Sequence, residues 1–168
     1  MIKTFNSTRI SDEDCIKIIN SYESKLSLQE NDIRRQSNFH ETNKDSWLFK
    51  LINQFIKNTI GNKYFLIERV TILKYTSGDF FLTHRDGDWN SSLSNYKLPY
   101  HFYGGLELNE KAEYEGGEFY INSSTVEHRK GRLFTHGFSD LHGVKKVKSG
   151  IRWSLHFLIG GPNIQSLI

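Results

Sequence analysis

Tyr64-Phe-Leu-Ile-Glu-Arg-Val-Thr-Ile-Leu-Lys-Tyr75 is the stretch of this 168-residue chain that decides its fold. It is rich in β-branched and aromatic residues, which fit a pleated and partly buried strand. Thr76-Ser77-Gly78-Asp79 follows and is typical of a turn, and Phe80 to Arg85 then predicts another strand. This part of the chain is therefore predicted to form sheet.

Further short strands are predicted downstream, each bounded by turn residues. They are Tyr100 to Leu108, Gly117 to Asn122, Gly131 to Thr135 and Gly150 to Ile159. Because no helical pattern lies between them, they indicate an antiparallel sandwich or barrel. The predicted fold class is mainly β with flanking helices (α+β).

Two helices are predicted upstream of the first long strand. Ser11 is a capping residue followed by acidic residues, and it predicts a helix to about Ser24. A second helix is predicted from about Lys44 to Asn58, with an apolar stripe that should cover one face of the sheet. Residues 26–43 are polar and are expected to fold over one end of the body.

The length favours one domain, with helices and a covering segment in residues 1–62 and the sheet core in residues 63–160. No apolar run approaches the roughly eighteen residues of a membrane span, and the start lacks a signal pattern, so a soluble, intracellular (cytoplasmic) protein is expected. Cys15 is the only cysteine, which excludes an internal disulfide and a cysteine zinc site, and its apolar neighbours predict a buried thiol.

The net charge of +3 is too mild to indicate a nucleic-acid partner by itself. Basic residues cluster at 128–132 and 145–148. Solvated loop ends explain such clusters, and the alternative is a platform for an acidic or phosphorylated substrate.

His84-Arg85-Asp86 predicts a metal site. Residues at i and i+2 of a strand share a face, so His84 and Asp86 can hold one metal together. His142, from a distant strand, would complete a set of two histidines and one carboxylate, which suits ferrous iron and leaves positions open. Arg152 could then bind the far carboxylate of a keto acid. His-x-Asp alone is weak, since a polar strand end has the same pattern.

Residues 74–159 resemble the catalytic half of the prolyl 4-hydroxylase-like branch of the iron(II)- and 2-oxoglutarate-dependent dioxygenases. The matching motifs occur in the order that is usual for the family. They are Tyr75-Thr-Ser-Gly78, Phe81-Leu-Thr-His84-Arg-Asp86, Tyr114-Glu-Gly-Gly117-Glu-Phe119, Lys130-Gly-Arg-Leu-Phe134 and Leu141-His-Gly-Val144 with Gly150-Ile-Arg-Trp-Ser154.

This resemblance implies a double-stranded β-helix, or jelly-roll, with helices packed outside. It also implies hydroxylation of a peptidyl residue such as proline, or of a small molecule or amino acid, with release of succinate and CO2. The cofactors implied are Fe(II), 2-oxoglutarate and O2, with ascorbate as an optional reductant. Asp86 favours a hydroxylating member, because relatives that halogenate have a small residue at that position.

The third metal ligand has a rival in His136, six residues before His142. The spacing from His142 to Arg152 matches the resemblance, so His142 is favoured. His136 is then expected to be a core histidine, or one that holds a neighbouring polar group.

Arg152 and Ser154 share a strand face, so both can contact the same carboxylate of 2-oxoglutarate. His156 is one step deeper on that face, where it could bind the co-substrate or a metal-bound water. The opposite face is expected to be core, and its residues are Trp153, Leu155 and Phe157.

The resemblance also places Tyr75 in the pocket as a hydrogen-bond donor to 2-oxoglutarate, with an ordinary half-buried tyrosine as the alternative. Where many relatives have Tyr-Leu-Asn, this chain has Glu107-Leu108-Asn109. Either Tyr103 compensates from the same strand, or fewer groups hold the co-substrate. Gly116 and Gly117 are expected to form a turn with positive φ.

The substrate is expected to bind to loops at the rim of the pocket. The candidates are residues 26–43 and the loop 88–99, which contains Trp89, Asn90 and Tyr96. Two other functions stay open, namely a non-catalytic jelly-roll binding module and an oxygenase that acts on nucleic acid. The oligomeric state is not predicted.

Overall fold

The computed structural model describes residues 3–28, 35–86, 101–137 and 139–162. These ranges contain two α-helices and fourteen β-strands. The helices are α1 (Asp12–Tyr22) and α2 (Trp47–Ile60). The strands are β1 (Lys3–Thr4), β2 (Ser27–Leu28), β3 (Arg35–Gln36), β4 (Asn38–Thr42), β5 (Phe65–Tyr75), β6 (Phe80–His84), β7 (His101–Glu107), β8 (Tyr114–Gly116), β9 (Phe119–Ile121), β10 (Ser124–Thr125), β11 (Phe134–Gly137), β12 (His142–Val144), β13 (Val147–Gly150) and β14 (Arg152–Gly160).

Two antiparallel sheets form the body of the protein. The larger has the strand order β1-β11-β7-β14-β5-β4-β2, and the smaller has the order β10-β9-β12-β6-β3. Strands β13 and β8 form a separate pair. The inner faces of the two larger sheets meet in one apolar cluster, which includes Leu73, Tyr75 and Phe134 from one sheet and Phe119 and Val144 from the other. This arrangement confirms the predicted mainly β jelly-roll.

The helices cover the outer face of the larger sheet. Their buried side chains belong to the same cluster as Trp153, Leu155 and Phe157 of β14, which confirms the predicted core face of that strand. Helix α2 begins at Trp47 rather than Lys44, because Ser46 closes a turn onto Asn43 and caps the helix by accepting from Phe49 N at 3.1 Å. In the described part of the chain, no helix has the length and apolar character of a membrane span.

Helix α1 confirms the other upstream prediction. The Ser11 hydroxyl accepts from Asp14 N at 3.0 Å, and a short 3₁₀ turn follows the helix to Lys25. Cys15 is part of this helix and is fully buried. Burial raises the pKa of this thiol to about 11.

The segment 26–43, which was predicted only to fold over one end of the body, has more regular structure than its polar composition indicates. Its described part contributes strands, because β4 pairs with β5 and β3 pairs with β6. The alternation of Phe39 and Glu41 toward the cavity with His40 and Thr42 toward the helices is a strand pattern, but the polar composition obscures it.

Strand β14 lies at the centre of the larger sheet, between β5 and β7. Its register places Arg152 opposite Tyr75, and Ser154 opposite both Leu73 and Glu107. In β5 the register shifts near Glu68, whose φ of 60° is unusual for a residue with a side chain. This bulge brings Glu68 and Arg69 to the edge of the cavity between the sheets.

Candidate metal centre and acid-binding pocket

A cavity of about 350 Å³ lies between the two sheets. Its walls include the apolar side chains of Leu73, Phe119, Phe134 and Val144. The polar side chains that line it come from strands of both sheets and from the end of β6. They include His84, Asp86, His142, Arg152, Ser154 and His156.

The two histidines of the predicted triad are paired across the smaller sheet. His84 is the last residue of β6, and its Cα lies opposite that of His142 on β12. The carboxylate of Asp86 lies between them, with Oδ1 at 3.4 Å from His84 Nε2 and Oδ2 at 3.3 Å from His142 Nε2. The structure thus brings all three predicted ligands together.

The structure corrects one detail of this prediction, because Asp86 is not on the strand. β6 ends at His84, and the turn that follows directs the carboxylate back toward the imidazoles. Arg85 points elsewhere, since its Nε donates to Ser139 O at 3.0 Å. Its exclusion from the ligand set agrees with the prediction, although the cause is a turn rather than strand alternation.

Hydrogen bonds to the backbone fix the tautomer of both histidines. His84 Nδ1 lies 2.8 Å from Leu82 O, and His142 Nδ1 lies 3.0 Å from Asp140 O. A carbonyl oxygen only accepts, so each Nδ1 bears the proton, and in a neutral imidazole Nε2 then has a lone pair directed at Asp86. Holding the second nitrogen in this way is usual for metal-ligating histidines.

The donor set fits a cation. His84 Nε2 and Asp86 Oδ2 are buried and, among the described residues, have no hydrogen-bond partner. Buried polar atoms normally have partners, and imidazole lone pairs that face a carboxylate need a positive charge between them. Two imidazole nitrogens and one carboxylate with open positions are the ligands of mononuclear non-haem Fe(II) sites.

The pKa values of this group reflect the same attraction. Burial alone would raise the pKa of Asp86, but contact with His142 and His84 outweighs burial and holds that pKa well below its usual range. Burial alone would lower the pKa of His142, and contact with Asp86 outweighs it and raises that pKa. The carboxylate is therefore charged and is available to a cation.

Two further histidines lie beside the triad. The ligand atoms of Asp86, His136, His142 and His156 all lie within 4.8 Å of one another, whereas His84 is not in that group. The His136 ring centroid is 4.5 Å from that of His142. Burial, followed by the neighbouring histidines, lowers the pKa of His136 to about 3, so it is neutral at ordinary pH. His136 is buried, as expected if His142 is the third ligand, yet it is also close enough to be a ligand itself.

Tyr103 lies against these histidines. Its ring stacks on His156 with centroids 4.8 Å apart and on His136 with centroids 5.5 Å apart. On the neighbouring strand it lies opposite Leu158, four residues from Glu107. Tyr103 is therefore close to the metal end of the cavity and does not take the place beside Arg152 that compensation for Glu107 would require.

Arg152 lies at the opposite end of the cavity from the histidines and is 2% exposed. Its guanidinium lies 5.2 Å from the centroid of the Tyr75 ring, and Ser154 is 3% exposed on the same strand face. Arg152, Ser154 and Tyr75 all line the cavity. The three predicted acid-binding residues are thus neighbours.

Sequence reasoning missed the partner of Arg152. Its Nη2 donates to Glu107 Oε1 at 2.5 Å, and Glu107 is 5% exposed. Burial alone would lower the pKa of Arg152, but the charge of Glu107 outweighs burial and raises it. The signal in the sequence was a single charged residue in the predicted strand of residues 100–108, at the position where the resemblance has tyrosine.

The turn at Gly116 and Gly117 packs against the side chain of Arg152. Both residues have the expected positive φ, at 73° and 65°. A Cβ on Gly117 would lie 2.9 Å from Val147 Cγ2 and 3.3 Å from Arg152 Cδ. Glycine is needed here both for its backbone conformation and for the close approach of the arginine side chain.

The predicted substrate residues Trp89, Asn90 and Tyr96 lie outside the described residues. Residues that line the cavity near the bulge of β5 include Glu41, Glu68 and Arg69, and Arg69 Nε lies 3.3 Å from Glu41 Oε1. The described part of the rim therefore has more acidic than basic groups.

The basic clusters are engaged with the protein itself. Arg129 Nη1 donates to Asn6 Oδ1 at 3.0 Å, Arg132 donates to Asn6 O, and Lys130 Nζ lies 3.2 Å from Asp12 Oδ1. In the second cluster, Lys148 Nζ lies 3.1 Å from Glu115 Oε1. These contacts favour loop ends over a platform for an acidic substrate, and those of the first cluster hold the N-terminal segment.

No protein-family model matches the chain, and no curated protein matches it significantly. Solved structures do match. The viral collagen prolyl hydroxylase of Paramecium bursaria Chlorella virus-1, in its 2OG complex, is 20% identical with a TM-score of 0.68, and the match covers 95% of this chain and 96% of that one.

Two other solved structures are similar. The prolyl-4-hydroxylase of Pseudomonas putida is 13% identical with a TM-score of 0.65, over 96% of this chain and 93% of that one. A prolyl hydroxylase of Trichoplax adhaerens, in complex with a peptide fragment of the hypoxia inducible factor oxygen degradation domain, is 14% identical with a TM-score of 0.65, over 99% and 86%. These likenesses confirm, at the level of fold, the resemblance that the motifs predicted.

Proposed function

We propose that this protein is an iron(II)- and 2-oxoglutarate-dependent dioxygenase that hydroxylates an organic substrate. The observation that supports this most is the pairing of two sites in one cavity. A set of two histidines and a carboxylate, with side chains at most 20% exposed, lies at one end, and a buried arginine lies at the other.

His84, Asp86 and His142 would hold the metal. Bound Fe(II) would supply the positions at which 2-oxoglutarate and O2 react, with release of succinate and CO2. The protein keeps both histidines in the tautomer that presents Nε2, through the carbonyls of Leu82 and Asp140. It also keeps Asp86 ionised, so the site is charged before a cation arrives.

Arg152 would bind the distal carboxylate of 2-oxoglutarate, with Ser154 and Tyr75 beside it. Arg152 and His156 are four residues apart along β14, roughly 13 Å between Cα atoms. The long arginine side chain shortens that gap, so a five-carbon diacid can reach from the metal to the guanidinium. His156 would contact the co-substrate near the metal end, where its ligand atom lies within 4.8 Å of that of Asp86.

The apolar walls would exclude water from the reacting centre. Phe119, Phe134 and Val144 are buried and line the cavity between the two polar ends. A dry site strengthens the electrostatic interactions of the charged groups and protects the reaction from side chemistry.

The proposed substrate is a peptide, with proline as one candidate residue, or a small molecule such as an amino acid. The described rim has two acidic residues, Glu41 and Glu68, and one basic residue, Arg69. Its net negative charge disfavours a polyanion at that part of the mouth. With the first basic cluster bound to the N-terminal segment, nucleic acid is the weaker candidate. Ascorbate stays an optional reductant, and the proposed location is the cytoplasm.

The test is release of succinate from 2-oxoglutarate by the purified protein with Fe(II), with and without a panel of proline-containing peptides and free amino acids. His84→Ala or His142→Ala should abolish release. His40→Ala is the matched control, because the His40 ring lies against that of Tyr22 on the helix side of the sheet, with ring centroids 5.4 Å apart. Turnover that survives both alanine variants would reject the metal assignment.

A jelly-roll binding module without catalysis is the rival function. It predicts that metal and 2-oxoglutarate bind but that no succinate forms, even in the uncoupled reaction without substrate. The complete set of His84, Asp86 and His142 favours the enzyme over this rival, since two histidines and one carboxylate are the ligands of mononuclear non-haem Fe(II) oxygenases.

A further inference from the structure

The ion pair between Arg152 and Glu107 affects which acid the cavity accepts. Glu107 does not line the cavity, whereas Arg152 does. The guanidinium thus has a carboxylate of the protein behind it and the cavity in front of it. An incoming carboxylate would have to share this cation with Glu107.

Arg152 has donors to spare for such a ligand. Its Nε and Nη1 are buried and have no hydrogen-bond partner among the described residues. Buried donors of this kind are costly unless a ligand or water satisfies them. Their presence in a lining residue indicates that an acceptor binds there.

Glu107 depends on Arg152 for its charge balance. Its Oε2 lies 3.8 Å from His128 Nδ1, which is too far for a hydrogen bond. His128 Nε2 lies 2.8 Å from Asn109 O, so Nε2 bears the proton, and in neutral His128 the Nδ1 accepts from the Tyr114 hydroxyl at 2.7 Å. Within the described chain, Arg152 is therefore the permanent cation in contact with Glu107.

We propose that Glu107 sets the co-substrate preference of the pocket by competing with the distal carboxylate of a keto diacid for Arg152. This inference rests on the proposed function, because it takes the metal end to bind the keto acid. Apart from the rim residues Glu41, Glu68 and Arg69, a divalent cation with Asp86 at one end and the neutral Arg152–Glu107 pair at the other leave one net positive charge. That charge balances a monocarboxylic keto acid, whereas a diacid adds a negative charge beside Glu107.

The test compares 2-oxoglutarate with 2-oxopentanoate, which has the same carbon chain but no distal carboxylate. Both are titrated calorimetrically into Mn(II)-loaded protein, so that binding is measured without turnover. In the wild type, the two affinities should agree within about tenfold, because Glu107 already compensates Arg152.

Glu107→Gln keeps an acceptor for Arg152 Nη2 and removes only the charge. It should raise the affinity for 2-oxoglutarate by about ten- to hundredfold and leave that for 2-oxopentanoate unchanged. Glu41→Gln is the matched control, since it removes a rim carboxylate that contacts Arg69 rather than Arg152. Its carboxylate is 40% exposed and therefore screened by solvent, so this substitution should leave both affinities nearly unchanged.

An unchanged or lower affinity of Glu107→Gln for 2-oxoglutarate would overturn the inference and would make Glu107 a residue that only positions Arg152. A wild-type preference for the diacid above about a hundredfold would overturn it too, and this measurement stands even if the variant does not fold. If neither acid binds to metal-loaded wild type or variant, the proposed function itself fails. If both acids bind and the variant shows no selective gain, the proposed function stands and only the role of Glu107 is rejected.

Discussion

Binding of a divalent metal should stabilise this protein by an amount that identifies the ligands. A ligand that binds only the folded state stabilises it by RT ln(1 + [L]/Kd), which is about 2.7 kcal/mol at a hundredfold excess over Kd. For a domain of 168 residues, 1 kcal/mol corresponds to roughly 2–4 °C in the melting temperature. Mn(II) at that excess should therefore raise the melting temperature by about 5–11 °C.

The variants decide which residues bind the metal. His84→Gln and His142→Gln should lose most of the shift, while His40→Gln should keep it. The shift upon metal addition is the quantity to compare, because removing a partner of Asp86 also alters the stability of the metal-free protein. Differential scanning fluorimetry with and without Mn(II) measures it directly.

The same experiment separates the predicted triad from the other ligand set that the structure permits. Asp86, His136, His142 and His156 are mutually close, and His136 is neutral at ordinary pH. If His136→Gln loses the shift while His84→Gln retains it, the metal binds to this second group and our assignment is wrong. Equal shifts in every variant, or none in the wild type, would refute a metal site in the cavity.

Three other outcomes are expected. Gly117→Ala should lower the free energy of unfolding in urea by about 1–3 kcal/mol and weaken 2-oxoglutarate binding, because φ is 65° and the new Cβ would lie 3.3 Å from Arg152 Cδ. Gly78→Ala is the control, since φ is 96° and the new Cβ would have no atom within 4 Å. It should lower stability without weakening binding. Arg152→Met should destabilise the protein by about 3–5 kcal/mol, since it leaves Glu107 buried without its cation, and adding Glu107→Gln should recover much of that loss in the same urea assay. Cys15 should react with a thiol reagent at pH 8 only after unfolding, because the folded protein buries it. Folding raises the pKa of this thiol from 9.0 to about 11, so its contribution to stability is fully present below pH 9.0 and is lost as the pH rises toward about 11.

The central strands of the fold were predictable because successive residues alternate between two faces of different character. On β14 the alternation of Trp153, Leu155 and Phe157 with Arg152 and Ser154 specifies which side meets the helices and which meets the cavity. Strand β5 was equally clear from its β-branched and aromatic residues. Both strands are long, and long periodic segments are the most reliable signals in a sequence.

The bounds of several short strands were not predicted, for the opposite reason. β12 (His142–Val144) and β8 (Tyr114–Gly116) have three residues each, too few to show a period. Strand β4 is polar at an edge of the cavity, so its alternation does not appear as apolar against charged. These elements become strands because neighbouring chain supplies their hydrogen bonds, which is a tertiary effect.

The site was predictable in its residue types but not in its contacts. The spacing of His84, Asp86 and His142 identified the group that the fold assembles, although the turn after His84 is not apparent from the sequence. The ion pair of Arg152 with Glu107 joins residues forty-five positions apart, and nothing in either local sequence indicates the other. Pairing between distant strands has to be known before such a contact can be inferred.

The contrast between the central strand β14 and the rim of the cavity also explains why the chemistry is better determined than the substrate. Arg152, Ser154 and His156 are on a strand that is hydrogen-bonded on both sides and covered by the helices, so their positions depend on the whole larger sheet. The described rim comes from β4 and from the bulge of β5, where Glu41 and Arg69 are 40% and 50% exposed. Substitutions at these rim residues alter few buried contacts and should cost less than about 0.5 kcal/mol in stability. Changes of substrate are therefore expected to arise at the rim, while the residues that would hold metal and keto acid are constrained by the core itself.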